Sequence, residues 1–124
     1  MMTGTIRKMQ LMLPVVFVLA DGSQVTHELV VDTGFTGGLS LSAEMVEELG
    51  LPFFRRLEAE LADGKTHKYS AHLAAIVWHR KALEVVTYAI GERPLLGTAL
   101  LEGNDLFAKF KENENFTLEA SDLS

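Results

Sequence analysis

One acid in this chain stands where acids are costly. Leu29-Val30-Val31 is an apolar run, Asp32 follows it at once, and Thr33-Gly34-Phe35-Thr36-Gly37-Gly38 comes next. A carboxylate at the end of a buried strand loses solvation unless hydrogen bonds or a chemical role offset the loss. The glycines behind it allow a tight turn whose backbone N–H groups can point at the carboxylate. The Thr33 hydroxyl is suited to holding that turn rigid. A carboxylate fixed in this way can act as a general base or acid. Asp32-Thr33-Gly34 alone also fits an ordinary strand-ending turn, so its meaning depends on its surroundings.

Other residue types offer less. His67 and His72 invite a metal reading, but five positions along a strand put them on opposite faces. His27 and His79 have no partner at ligand spacing, so neither a metal nor a cofactor is expected. Ser23, Ser40, Ser42 and Ser70 lack the Gly-x-Ser-x-Gly frame of a nucleophile elbow. Glu44, Glu47 and Glu48 read as a solvated helix face, and Trp78 and Tyr88 as core or interface residues. Asn115-Phe116-Thr117 matches a glycosylation acceptor, which matters only in a secreted protein. With no cysteine there can be no disulfide, thiolate zinc site or cysteine nucleophile. The absence of cysteine fits a cytoplasmic protein. A net charge of −6, with no Lys/Arg-rich run, argues against nucleic acid as a partner.

The elements that must position Asp32 are short and mainly of period two. The 124 residues suit a single domain spanning 1–124, and 48% hydrophobic residues suffice for one core. Arg7 and Lys8 precede an apolar run from Met9 to Ala20 that has the outline of a short signal segment. Gln10 and Pro14 interrupt it, and a buried strand ending at Ala20-Asp21-Gly22-Ser23 is the better reading. The run is also too short for a bilayer, which takes about 20 apolar residues. Val15, Phe17 and Leu19 alternate with Val16, Val18 and Ala20, as in a strand covered on both faces. Asp21-Gly22 turns the chain into Gln24–Val31, which puts Val25, Leu29 and Val31 on one face with His27 and ends at Asp32.

A helix follows, with Ser42 as its cap, Ala43–Leu49 as its body, and Gly50 and Pro52 as its end. Leu57–Ala62 reads as a strand, Asp63-Gly64 as a hairpin turn, and Thr66–Trp78 as the return. Ala82–Ile90 is another strand, rich in β-branched and aromatic residues. Gly91-Glu92-Arg93-Pro94 breaks the chain before Leu95-Leu96-Gly97, and a short helix is expected over Thr98–Leu101. Leu106–Lys111 and Phe116–Glu119 form a last hairpin. Short strands joined by tight turns point to a mainly β protein, a small closed barrel with one or two short helices.

Taken in order, these features resemble the retropepsin-like (acid protease) family of aspartic peptidases. The matching parts are the apolar-apolar-Asp-Thr-Gly segment, the Gly-rich turn, Leu39-Ser40-Leu41, the capped helix, an intervening hairpin, and a downstream Leu95-Leu96-Gly97. Val-Asp-Thr-Gly-Phe-Thr-Gly with a later Leu-Ala-Asp-Gly looks like the small prokaryotic single-domain branch. The resemblance runs from the first hairpin to the last strand. Phe35 departs from the small residue usual after Asp-Thr-Gly. Thr98 stands where retroviral members carry Arg or Asn, and the hairpin tip Asp63-Gly64-Lys65 is polar.

The resemblance implies an aspartic endopeptidase with Asp32 as its catalytic carboxylate. Thr33, Gly34, Leu95, Leu96 and Gly97 would support the active-site loop. Ala62, Asp63, Gly64 and Lys65 would form a substrate flap over an extended peptide. Such hydrolysis uses two carboxylates about 3 Å apart that share one proton. This chain holds a single Asp-Thr-Gly, so the implied partner is a second copy, with Asp32 of each subunit near a two-fold axis. The terminal strands near Thr5–Met9 and Phe116–Ala120 are candidates for a dimer sheet. The alternative from another class is a catalytically silent dimer that keeps the fold for binding or assembly.

Overall fold

Turn residues cut the chain into short strands, and apolar alternation decides which face of each is buried. The computed structural model describes residues 1–60 and 63–121. The strands are β1 (Met2–Arg7), β2 (Gln10–Val18), β3 (Gln24–Val31), β4 (Leu39–Leu41), β5 (Phe53–Glu60), β6 (Thr66–Trp78), β7 (Lys81–Ala89), β8 (Leu95–Leu96), β9 (Asn104–Phe107) and β10 (Asn115–Ala120). The helices are α1 (Ala43–Glu48) and α2 (Thr98–Leu101). The protein is therefore mainly β with two short helices. No described helix is long and apolar enough to cross a membrane.

All the strands belong to one sheet, in the order β5-β6-β7-β4-β8-β3-β2-β1-β10-β9. An additional β2–β6 pairing links distant parts of that order into a circuit. β2 changes partner along its length, from β1 at Gln10–Met12 to β6 at Val16–Val18. Pro14 falls in the gap between these two pairings. Proline lacks an N–H for a ladder, so this is where a strand can accept it. Leu11, Leu13, Val15 and Phe17 of β2 are buried, while Val16 and Val18 are only partly covered. One face of β2 thus faces the core and the other is half open, rather than both being covered. Leu29, Val31, Leu39, Leu41, Ile76, Leu96, Phe116 and Leu118 complete the centre of the core.

The helix after Asp32 forms as its sequence requires. Ser42 accepts a hydrogen bond from the Met45 amide at 3.1 Å, and Val46 turns inward. The cap satisfies one of the amides that a helix start leaves unpaired. Ser42→Ala is expected to cost about 1 kcal/mol of stability in a denaturant titration; an unchanged midpoint would mean that packing alone holds α1.

The largest departures from the boundaries read in the sequence are at β5 and β9. β5 begins at Phe53 rather than Leu57, because Pro52 stops a helix but leaves extended backbone open; Leu61 and Ala62 lie outside the described residues. β9 ends at Phe107 instead of running on to Lys111. Its start is fixed at Asn104, whose side-chain Nδ2 donates to the carbonyls of Leu100 and Glu102 at 3.2 and 3.1 Å. The chain then leaves the sheet and turns through Lys109–Glu114, with Asn113 at a φ of 67°.

Candidate active site

β3 and β8 meet at Asp32. They run parallel, with Val30 beside Leu95 and Val31 beside Leu96. The Val30 amide donates to the Pro94 carbonyl at 2.9 Å, and the Asp32 amide donates to the Leu96 carbonyl at 2.9 Å. On its other side β8 pairs antiparallel with β4, Leu39 against Leu96 and Ser40 against Leu95. The two short motifs that frame Asp32 in the sequence are therefore neighbours in space. Beyond β8 the backbones cross. The Gly97 amide donates to Gly38 O at 2.8 Å, and Thr98 N to Phe35 O at 2.8 Å.

This crossing holds the loop from 32 to 38 as a rigid bend. Gly34 N–H donates to Asp32 Oδ1 at 2.8 Å, and Phe35 N–H to the Asp32 carbonyl at 3.2 Å. Asp32 is partly buried, and its Oδ2 accepts no hydrogen bond from the described residues. One carboxylate oxygen is thus anchored and the other is left for a ligand or water. A carboxylate so held can take up or give a proton without first reorienting.

Thr33 lies differently from the expectation. It is exposed, and its hydroxyl makes no hydrogen bond to the described residues. The first turn position faces outward, so the side chain cannot reach back under the loop. Thr98, at the start of α2, does that instead, with its hydroxyl 3.4 Å from Phe35 O. In the sequence Thr98 stands out as the start of a short helix and as a departure from the family pattern, not as a support for the bend. Its role depends on the pairing of β8 with β3, which no local signal reveals. Phe35 itself sits edge-on to Tyr88, ring centroids 6.1 Å apart. The large residue after Asp-Thr-Gly is thereby seated against β7.

Asp32 and Thr33 open into a cavity of about 570 Å³. Its wall is largely apolar, with Leu11, Val30, Leu95, Leu106, Ala108 and Phe110 among the lining residues. Among the described residues, Arg93 is the one basic side chain lining it. A second cavity, of about 370 Å³, lies on the β5 side of the loop, between Phe35-Thr36-Gly37 and Arg55, Leu57, Tyr88 and Ile90. The base of the β5–β6 hairpin therefore reaches the bend that carries Asp32.

The described residues of the hairpin tip do not line the Asp32 cavity. Of the four expected flap residues, Ala62 lies outside the described residues, while Asp63, Gly64 and Lys65 form an exposed turn. Asp63 Oδ1 accepts from Lys65 N–H at 2.9 Å, and its Oδ2 is 2.9 Å from His67 Nε2. The Lys65 amide, and after it the His67 side chain, hold the Asp63 carboxyl below its ordinary value of 3.8. A carboxyl lowered in the folded state contributes order that is complete above the ordinary value and lost as pH falls through the lowered one. Protection of the Lys65 amide from exchange should therefore be flat from neutral pH to about pH 4 and fall below it. Asp63→Ala should remove that step; a step that persisted would assign it to another acid.

The remaining histidines have local partners. His72 contacts Leu51 O and Ser70 Oγ, and His79 contacts Asn104 Oδ1. His27 lies edge-on to Phe17. No three metal-ligating side chains come together among the described residues. The terminal strands pair within the chain, Met2–Thr5 of β1 against Asn115–Leu118 of β10, and β9 covers the other edge of β10. The edges left free in the sheet order are β5 and β9, so the terminal strands do not present an open edge for a shared dimer sheet.

In comparisons with known proteins, the chain matches no family model, no curated protein and no solved structure.

Proposed function

We propose that this chain is one half of a homodimeric aspartic endopeptidase of the retropepsin-like type, with Asp32 as its catalytic carboxylate. The observation that carries the reading is the crossing at β3 and β8, where Leu95-Leu96-Gly97 braces an Asp-Thr-Gly bend whose acid keeps one oxygen free. The circuit closed by the β2–β6 pairing fits a small closed barrel of that family. Two copies then bring their Asp32 carboxylates to about 3 Å, where they share one proton. One takes a proton from water as the oxygen attacks the peptide carbonyl, and the other protonates the carbonyl oxygen. The C–N bond of the tetrahedral intermediate then breaks as the carboxyl that took the water's proton gives it to the leaving nitrogen. One hydroxyl of the intermediate returns its proton to the other carboxylate as the carbonyl re-forms. The substrate is an extended peptide, with the β5–β6 hairpin closing over it by strand addition. No cofactor is needed, and the absence of cysteine suits action in the cytoplasm.

The test is cleavage of a peptide library from about pH 4 to about pH 7, a range that includes the upper apparent pKa of about 4.7 known for such a dyad, by wild type and by Asp32→Asn, with sedimentation of both. Cleavage by the wild-type dimer alone supports the proposal. A dimer that neither cleaves nor binds a statine-type inhibitor would favour a binding or assembly module. A strict monomer at micromolar concentration would overturn both readings.

A further inference from the structure

Arg93 is out of character with its surroundings. It belongs to the break between β7 and β8, and the hydrogen bond from Val30 N–H to Pro94 O fixes the backbone beside it at 2.9 Å. That anchor puts the arginine on the wall of the Asp32 cavity, among Val30, Leu95, Leu106 and Phe110. It is exposed, and it has neither an ion pair nor a hydrogen bond among the described residues. Asp32 lines the same cavity but is not within ion-pair reach of it. A guanidinium presents five donors in a rigid fork that suits carboxylates. Left at the mouth of a mostly apolar cavity, it suits a ligand group with an apolar stem and an anionic end.

Resting on the dimeric peptidase reading, we infer that Arg93 is a specificity-determining residue that selects acidic side chains beside the scissile bond. The cavity wall takes the methylenes of a glutamate, and Arg93 meets its carboxylate in a charge-assisted pair. A symmetric dimer holds two such cavities, one on each side of the paired Asp32 carboxylates. The preference therefore applies to both sides of the bond that is cut, not to one alone. The acidic chain as a whole, at net charge −6, repels anionic peptides. The attraction is thus local to this cavity and weakens with salt.

The experiment compares peptides with Glu on both sides of a Phe–Leu bond against the same peptides with Gln. Wild type should cut the Glu peptides with a kcat/KM about tenfold higher, the scale of a hydrogen bond to a charged group. Arg93→Ala should erase that ratio, mainly through KM, and Arg93→Glu should turn the preference toward Lys. A ratio unchanged in both variants would overturn the inference while leaving the peptidase reading in place. Loss of the peptidase reading looks different, as no cleavage that depends on Asp32. A binding arm decides the inference in that event: fluorescence anisotropy should show wild type holding the Glu peptide more tightly than the Gln peptide, and Arg93→Ala holding both alike. Equal binding by wild type would overturn it.

Discussion

On the proposed dimeric peptidase reading, replacing Asp32 by Asn is expected to lower peptide cleavage by a factor of about 10³ or more, while fold and dimer persist. The asymmetry follows from how the side chain is held. Gly34 N–H donates to Asp32 Oδ1 at 2.8 Å, and an asparagine oxygen at that place can accept the same bond. The bend keeps its brace, and the melting midpoint should move by less than the equivalent of about 0.5 kcal/mol. What disappears is a group able to exchange a proton with water, a contribution that typically amounts to a factor of about 10²–10⁴ for one positioned acid or base. In a symmetric dimer the substitution strikes both halves, which places the loss toward the upper end. A mixing experiment separates a shared site from two independent ones. Adding Asp32→Asn chain to a fixed amount of wild type should lower the activity, because each mixed dimer holds one carboxylate. Activity that ignored the added variant would sink the shared-site reading.

The parts of the site that were legible in the sequence are those set by short-range chemistry. The apolar run into Asp32, the Ser42 cap, the Asp63-Gly64 turn and the long return strand Thr66–Trp78 all depend on residues a few positions apart, and each stands as expected. The pairing of Leu95-Leu96 with Val30-Val31 was reachable only through the order of motifs along the chain. Nothing within either segment specifies the other as its neighbour. Thr98 and Arg93 escaped for that reason. Their importance comes from a parallel pairing across some 65 residues of chain, Val30 to Leu95. Thr33 was misplaced by the opposite error. Its hydroxyl suits local support, but the side chain is exposed and makes no hydrogen bond to the described residues. The hydroxyl of Thr98, at the start of α2, donates to Phe35 O instead. In the sequence the terminal strands near Thr5–Met9 and Phe116–Ala120 are candidates for a dimer sheet, and no local signal distinguishes a partner in the same chain from one in a second copy. Within the chain β1 and β10 pair with each other, which avoids the translational and rotational cost of association.

Gly97→Ala should cost about 3 kcal/mol, at the upper end of the usual range for overpacking, a drop of about 10 °C in melting temperature for a domain of this size. The reason is space, not backbone conformation. Gly97 lies at φ −107° and ψ −177°, extended backbone that alanine adopts without strain. A methyl group there, however, would run into the carbonyl oxygens of Phe35 and Gly37 and into the Phe35 ring. Carbonyls of a braced bend cannot swing aside as the end of a long side chain can. Either the bend shifts or β8 moves away from β4 and β3. Both movements strain the same contacts: Gly97 N to Gly38 O, Thr98 N to Phe35 O, and Asp32 N to Leu96 O. The catalytic loss should therefore exceed what the fraction unfolded explains, since a displacement near 1 Å can cost a factor of about 10² in rate. Cleavage measured well below the variant's melting temperature separates the two effects. A Gly97→Ala protein that melted and cleaved as wild type would show that the crossing of β8 with the bend is not what holds Asp32 in place.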